Sequence, residues 1–321
     1  MNGSDLQVPR VQYITIDGER ASQRIDNFLI SCLKGVPKSR IYRMLRKGEV
    51  RVNKGRIKAE YRLKSGDIVR IPPVRMTPIE TQNTLPKNLH KRLSDRVLYE
   101  DSDLLVFNKP CGLAVHGGTG LSYGLIEALR ELRPDDRYLE LVHRLDRDTS
   151  GCLLIAKKRS TLKYLHELFR SDKVKKRYSV LLSGVLERKK IVVDAALRKN
   201  IKKSGEWMVE ISELGKDSRT SFIRKRTFSN ATWVEAQPKT GRTHQIRVHA
   251  ASIGLPVAGD VRYGDKQLNR MFRSRGLQRL FLHASYLGFE HPKSGNQVSI
   301  NAPLDAELVN VIENLENEKD L

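Results

Sequence analysis

Residues 72–94 carry no apolar period, and this break constrains the chain more than any other feature. Pro72 and Pro73 open the stretch, and Pro78 and Pro86 interrupt it among scattered polar residues. Proline removes a backbone donor and fixes φ, so such a stretch favours neither helix nor strand. The 321 residues are long enough for one large and one small body. The expected layout is a small domain over 1–75 with its core at about 22–72, a linker over 76–94 and a large domain over 95–321.

In the small domain Ile25, Phe28, Leu29 and Cys32 fall at i, i+3, i+4 and i+7, one face of a helix. Pro37 is placed to start a second helix and Gly48 to end it. Ile41, Met44 and Leu45 make its inward face, leaving Arg40, Arg43 and Lys47 on the outward one. A short strand over Val50–Val52, which includes Arg51, precedes the turn Asn53-Lys54-Gly55. Another strand, Ile68–Ile71, follows Gly66-Asp67. Between residues 37 and 75 there are thirteen basic residues against three acidic ones, a net of +10 out of +22 for the whole chain. A solvated helix face usually mixes its signs. One-signed clustering instead suits a surface that tracks phosphates, because each neutralised phosphate releases counterions.

The large domain mixes both apolar periods without regular alternation of strand and helix. Strands are expected at Val97–Tyr99, Leu104–Phe107, Leu153–Ala156, Tyr178–Leu182, Trp233–Ala236 and Leu280–Phe289. Helices are expected near 124–132, 160–171, 243–253 and 305–316. The class is therefore α+β with a mixed, mostly antiparallel sheet, not a doubly wound one. Neither a GxGxxG opening a helix nor a GxxxxGK[ST] is present, and Ser150 sits in DTSG, not GxSxG. His244 and His249 are five residues apart, about 140° around a helix, which does not suit a shared metal. They read as capping or hydrogen-bonding groups. Cys32, Cys111 and Cys152 have neither disulfide nor zinc spacing and read as buried free thiols of a reducing compartment. The N-terminus lacks an apolar leader segment, and no apolar run reaches membrane-span length. A cytoplasmic protein without cofactor, metal or membrane partner is expected.

Three segments remain that can carry chemistry. LVHRLDRDTSGCLLIAKK (141–158) sets Asp146 and Asp148 among Arg144 and Arg147. A carboxylate beside guanidinium groups favours its ionised form and can serve as nucleophile or base. Spacing does not choose between the two aspartates, and a surface ion-pair cluster fits equally well. In KVKKRYSVLLSG (173–184), Tyr178 opens an apolar run right after a stretch, 173–177, with four basic residues. That pairing suits base stacking beside phosphates, though a tyrosine at the edge of a core looks the same. In PKTGRTHQIRVHAASIG (238–254), Gly241 permits a tight turn, and Arg242 and Thr243 open a helix whose free N–H groups favour an anion.

Taken together these segments resemble the RluA-type pseudouridine synthase family. The resemblance rests on VLYEDSDLLVFNKPCGLAVHGG at 97–118, HRLDRDTSG at 143–151, KRYSVLLSG at 176–184, GRTHQIRVH at 241–249 and RLFLHA at 279–284, in the family's order. The small domain resembles the S4 RNA-binding module through RIDNFL at 24–29, SRIYRMLRKGEVRVNKGR at 39–56 and GDIVRIP at 66–72. KGVPKS at 34–39, AVHGGTGLSYG at 114–124 and the Arg-Asp within HRLDRDTSG are similar to the RluC branch.

The resemblance implies a pseudouridine synthase catalytic domain preceded by a small α/β S4 domain. It implies isomerisation of uridine to pseudouridine at several positions of large-subunit (23S) ribosomal RNA, with that RNA or an assembling particle as partner and no required protein partner. It makes Asp146 the catalytic aspartate and Asp148 a supporting residue. Tyr178 becomes the aromatic that stacks on the target uracil, and Arg242 the arginine placed to pair with the aspartate. Arg144 fills the gap left by the displaced base, and Leu282 packs near the site. Arg40, Arg43, Lys47 and Arg51 become the RNA-binding residues of the S4 face. The loop after 184 and the stretch 265–278 are less familiar and are expected to shape substrate choice. The alternatives are a ribosome-assembly RNA-binding protein without chemistry, or a synthase acting on tRNA.

Overall fold

The computed structural model describes residues 10–18, 20–33, 35–74, 87–117, 123–201 and 207–317. The glycine-rich part of AVHGGTGLSYG and most of the expected linker lie outside them. The chain divides into two compact units, Met1–Thr84 and Leu85–Leu321.

The first unit runs β1 (Gln12–Thr15), α1 (Ile25–Cys32), α2 (Lys38–Lys47), β2 (Arg51–Val52) and β3 (Ile68–Ile71). The strands form an antiparallel sheet in the order β1-β3-β2. The anticipated inward faces are buried: Ile25, Phe28 and Leu29 of α1 meet Ile41, Met44 and Leu45 of α2 and Val52, Val69 and Ile71 of the sheet. α2 ends where Gly48 turns left-handed at φ 68°, and its N–H is taken up by the carbonyls of Met44 and Leu45. Pro37 stands one residue earlier than expected, as the N-cap with ψ 139°. β1 has no counterpart in the sequence reading, because three of its four residues are exposed and show no alternation.

The second unit opens with α3 (Lys87–Ser94), β4 (Val97–Glu100), β5 (Leu104–Lys109), α4 (Leu125–Leu132), β6 (Glu140–Leu141), β7 (Ser150–Ala156), α5 (Arg159–Arg170) and β8 (Lys175–Ser183). It continues with β9 (Lys190–Asp194), β10 (Leu197–Ile201), β11 (Trp207–Ile211), β12 (Arg219–Thr227), β13 (Ala231–Pro238) and α6 (Gln245–Ser252). It closes with α7 (Lys266–Ser274), β14 (Leu282–Glu290), β15 (Gln297–Asn301) and α8 (Ala306–Asn317). One large sheet has the order β4-β5-β7-β14-β8-β13-β12-β9, with β15 beside β14 and β6 beside β7. All its pairings are antiparallel except β7 with β14, so the sheet is mixed and mostly antiparallel as expected.

The helix α3 corrects one boundary. Residues 87–94, read as linker, belong to the second unit, where Leu93 enters the core with 1% exposure. Eight residues, four of them basic or histidine, are too short a run to carry a readable apolar period. Low burial hides β9, β10 and α7, which are mostly exposed. Thus "the loop after 184" holds β9 and the separate hairpin β10–β11, and the stretch 265–278 is largely helical.

Every residue of β5 and β7 is buried, as expected for central strands covered on both faces. The β7–β14 pairing spans only His283↔Ser150 and Ala284↔Gly151. It brings the chains so close that a Cβ on Gly151, at φ +106°, would lie 2.2 Å from the Ala284 carbonyl oxygen. The segment carrying Asp146 enters the sheet at this seam.

Candidate active site

The loop 143–149 is fixed at several points. Leu145 is 4% exposed and anchors in the core, so its neighbours Arg144 and Asp146 are carried at the surface side. Asp146 accepts the Thr149 N–H through its carbonyl at 3.1 Å. The Arg147 carbonyl accepts from Gly112 N–H at 2.9 Å and from Lys109 Nζ at 3.0 Å. Lys109 is fully buried, and its Nζ also donates to the carbonyls of Pro110 (2.9 Å) and Leu113 (2.8 Å). Burial lowers its pKa to about 8. The sequence reading gave Lys109 no role. Its available signal was a lysine closing an otherwise apolar run just before Pro110.

Arg144, Asp146, Tyr178, Arg242 and Leu282 line one open cleft. Four separate stretches of chain meet there: the loop before β7, strands β8 and β14 at their seam, and the loop between β13 and α6. Register explains two of the residues. Leu282 lies opposite Val180, and Tyr178 stands two residues before Val180, so both point to one face of the sheet. Tyr178 packs against the core clusters on either side of the cleft. Burial and then the charge of Asp146 raise its phenol well above the usual tyrosine range, so the ring stays protonated. Its hydroxyl has no hydrogen-bond partner among the described residues.

Asp148 does not line this cleft. It pairs with Arg147 at 3.1 Å on a half-exposed surface, and its carbonyl accepts from Cys111 Sγ at 3.2 Å. Its support is to the shape of the loop. The three cysteines are unpaired, but only Cys152 is fully buried; Cys32 and Cys111 are half-buried.

The loop 239–244 departs from expectation in detail. Gly241 has open space around its Cβ position and no positive φ; the left-handed residue is His244, at φ 54°. α6 starts at Gln245, so Arg242 and Thr243 precede it. Gln245, 4% exposed, ties the loop down: its Oε1 accepts from Arg242 N–H (3.0 Å) and Thr240 Oγ1 (2.7 Å), and its Nε2 donates to the Arg219 carbonyl and Thr220 Oγ1. Arg242 forms no ion pair with Asp146; its Nε donates to the Asp217 carbonyl at 3.2 Å. The exposed Arg242 side chain is long enough to find that backbone acceptor first.

His244, read as a capping or hydrogen-bonding group, is the N-cap residue of α6 and bonds Tyr263, and it is also the group facing Asp146, with Nε2 3.8 Å from Oδ2. Behind it Nδ1 lies 2.8 Å from the Tyr263 hydroxyl, which accepts from Val209 N–H at 3.0 Å. Arg247 then stacks over Tyr263 at 5.0 Å and forms a buried two-bond pair with Asp260, at 2.7 and 2.8 Å. Burial first, and then Arg247 and Arg262, lower His244 to about 4 against the opposing pull of Asp146 and Asp260, so the imidazole is neutral near pH 7. Nothing in the five-residue spacing of the histidines reveals this. His249 is buried elsewhere, against Ser218 and Thr220.

In the first unit Arg43 and Lys47 are exposed, while Arg40 is half-buried and pairs with Glu49 at 3.3 Å. Arg40 thus stands apart from the free outward face expected of it. Exposed Arg51 reaches the carbonyls of Gly48 and Lys54 at 3.4 Å each. Among the described residues Asp101, Asp103 and His291 form a compact cluster, but Tyr99, Lys158 and backbone N–H groups already satisfy the carboxylates. No helix of the described residues is long and apolar enough to cross a membrane.

Residues 103–252 match the family model described as RNA pseudouridylate synthase, and residues 23–69 match the S4 domain. A ribosomal large subunit pseudouridine synthase C of Pasteurella multocida is 55% identical over 310 residues, covering 96% of this chain and 95% of its own. The protein of that name from Escherichia coli K12 is 53% identical over 315 residues, covering 97% and 98%. Among solved structures, human RNA pseudouridylate synthase domain containing 4 is 28% identical with a TM-score of 0.59, covering 71% of this chain and 96% of its own.

Proposed function

We propose a reaction from one premise: this chain belongs to the RluA-type RNA pseudouridine synthase family. It isomerises uridine to pseudouridine in large-subunit ribosomal RNA, the substrate that its relatives' names state. The N1–C1′ bond of uridine breaks, the uracil turns, and C5 joins C1′. The proton lost from C5 is balanced by one gained at N1, so no oxidant and no energy donor enters.

The target must first leave its stack, which costs a few kcal/mol. Stacking on the Tyr178 ring returns about 1–3 kcal/mol of this. Asp146 supplies the carboxylate that acts on the sugar or the base. Arg144 covers the vacated stack. Arg242, held at its backbone by Gln245, presents its guanidinium to the anionic RNA. Leu282 packs against the edge of the site, and the Asp148–Arg147 pair shapes the loop beneath it. The small N-terminal unit binds surrounding RNA through phosphates, with Arg43, Lys47 and Arg51 on its exposed surface and Arg40 in a lesser part. The enzyme acts in the cytoplasm, where that RNA is assembled.

What supports this reading is a single observation: the Arg144–Asp146 segment, Tyr178 and Arg242, three distant parts of the sequence, line the same cleft. The test is to map pseudouridine in ribosomal RNA from cells whose sole copy carries Asp146→Asn. The modification is expected to vanish at this enzyme's positions. If it persists, the protein binds RNA without performing the chemistry assigned to Asp146.

A further inference from the structure

We infer that His244 is a positioning residue for Asp146, its Nε2–H tautomer dictated by Tyr263 and, through Tyr263, by the β10–β11 hairpin. The inference rests on the proposed reaction at this cleft. Among the described residues β11 pairs only with β10, so its outer edge offers backbone groups to other partners. One of them, Val209 N–H, donates to the Tyr263 hydroxyl oxygen at 3.0 Å. The hydroxyl has one proton to give, and His244 Nδ1 at 2.8 Å is its only acceptor among the described residues. Nδ1 therefore accepts. A neutral imidazole carries its single proton on one nitrogen, so the proton sits on Nε2.

Nε2 is the nitrogen that faces Asp146 Oδ2 at 3.8 Å. The opposite tautomer would turn a lone pair toward a carboxylate, which is repulsive. The two ends of the imidazole thus agree on one proton position. At 3.8 Å the contact is longer than a hydrogen bond and acts as an oriented dipole on the carboxylate. His244 cannot swing away: its side chain is 8% exposed, and its backbone is held in the left-handed region. Burial keeps the imidazole neutral, with Arg247, Arg262, Asp260, Asp146 and Tyr263 as the charged or titratable groups around it. Tyr263 is fixed in turn by the Arg247 guanidinium on its ring and by its N–H to Asp260 at 3.0 Å. Tyr263 also packs with Leu197, Val209 and Val248, so hairpin and helix α6 share one small apolar cluster.

The consequence is specific. The relay aims one carboxylate oxygen, and His244, with its side chain 8% exposed, offers RNA little surface. Removing it should slow the chemical step and leave RNA affinity unchanged. The experiment measures single-turnover conversion at saturating RNA and, separately, RNA affinity, for the full chain carrying His244→Leu, His244→Gln, Tyr263→Phe or Asp146→Asn. His244→Leu is expected to slow conversion about tenfold, the equivalent of one oriented polar contact to a charge. His244→Gln, whose amide places an N–H near the position of Nε2, should recover most of that rate. Tyr263→Phe should fall between them, because it frees the tautomer without removing the imidazole. Melting temperature reports whether each variant is folded. Conversion by His244→Leu at the unsubstituted rate overturns the inference. So does a folded His244→Gln as slow as His244→Leu. Should His244→Leu not fold, Tyr263→Phe at full rate overturns it on its own. Asp146→Asn separates the levels: if that variant still converts uridine, the reading of the cleft fails before the relay is reached.

Discussion

Asp260→Asn is the perturbation whose cost the structure defines best. Asp260 is 1% exposed, and its carboxylate accepts two hydrogen bonds from Arg247 (2.7 and 2.8 Å), one from Arg262 N–H (2.9 Å) and one from Tyr263 N–H (3.0 Å). Arg247 is itself only 7% exposed. The asparagine keeps one acceptor oxygen but turns an NH2 toward groups that only donate, and it leaves a guanidinium buried without its counter-charge. Breaking one side of a buried pair costs about 3–5 kcal/mol. The retained oxygen puts this substitution near the lower figure, about 3 kcal/mol. For a unit of this size that is a fall of about 6–12 °C in Tm. Urea unfolding of the full chain, followed by a signal from the second unit, measures it. Burial alone would raise the Asp260 carboxyl, but Arg247 and the N–H groups outweigh burial and hold it below the ordinary 3.8. Its contribution is therefore complete above that value and is lost as pH falls through the lowered one, so the mutational cost should be constant from about pH 5 to 8. Replacing both partners, Arg247→Met with Asp260→Leu, should recover most of the loss, because no charge is then left unpaired. A single-variant loss below about 1 kcal/mol, or a double variant no better than the single one, would refute the reasoning that an unpaired buried charge sets the cost.

Gly151→Ala should destabilise by more than about 4 kcal/mol or prevent folding, since the added methyl meets the Ala284 carbonyl at 2.2 Å and φ is +106°; a soluble variant with an unchanged urea midpoint would contradict this. Burial pushes His143 and His244 down to about 4 from 6.5, so the unfolded chain binds more protons between those values. Stability should accordingly drop as pH falls from 6.5 to 4, His244 alone accounting for about 3 kcal/mol; a flat unfolding free energy across that window would be inconsistent with neutral buried imidazoles. On the N-terminal unit, Arg43→Gln and Lys47→Gln should each lower the slope of log affinity against log salt by about 1. Arg40→Gln should change it less, because Glu49 already pairs that guanidinium at 3.3 Å; equal effects at all three positions would show that the ion pair opens on binding.

Much of the architecture is legible in the chain because it is local. The apolar faces of α1 and α2, the buried runs of β5 and β7 and the left-handed stop at Gly48 follow from spacing and residue type. Elements that bury little leave no such trace, which is why β1, β9, β10 and α7 emerge only in the folded chain. Residue types and motifs likewise nominate Asp146, Tyr178, Arg144, Arg242 and Leu282. Spacing alone left Asp146 and Asp148 level, and the motif resemblance favoured Asp146; in the fold one faces the cleft and the other pairs with its own neighbour, Arg147.

What the amino-acid order determined by itself was a basic two-part chain with a short aspartate–arginine segment leading into a buried strand. Only the tertiary structure decided what that aspartate faces. Arg242 is a residue type apt to pair with it, yet its guanidinium bonds a backbone carbonyl, while His244 faces the carboxylate across 3.8 Å. The reason is physical. Ion pairing by a long exposed side chain depends on which acceptor the surrounding loops present. The tautomer of a buried imidazole depends on a hydroxyl nineteen residues away and a backbone N–H thirty-five residues away. Neither is a property of the segment in which the residue sits.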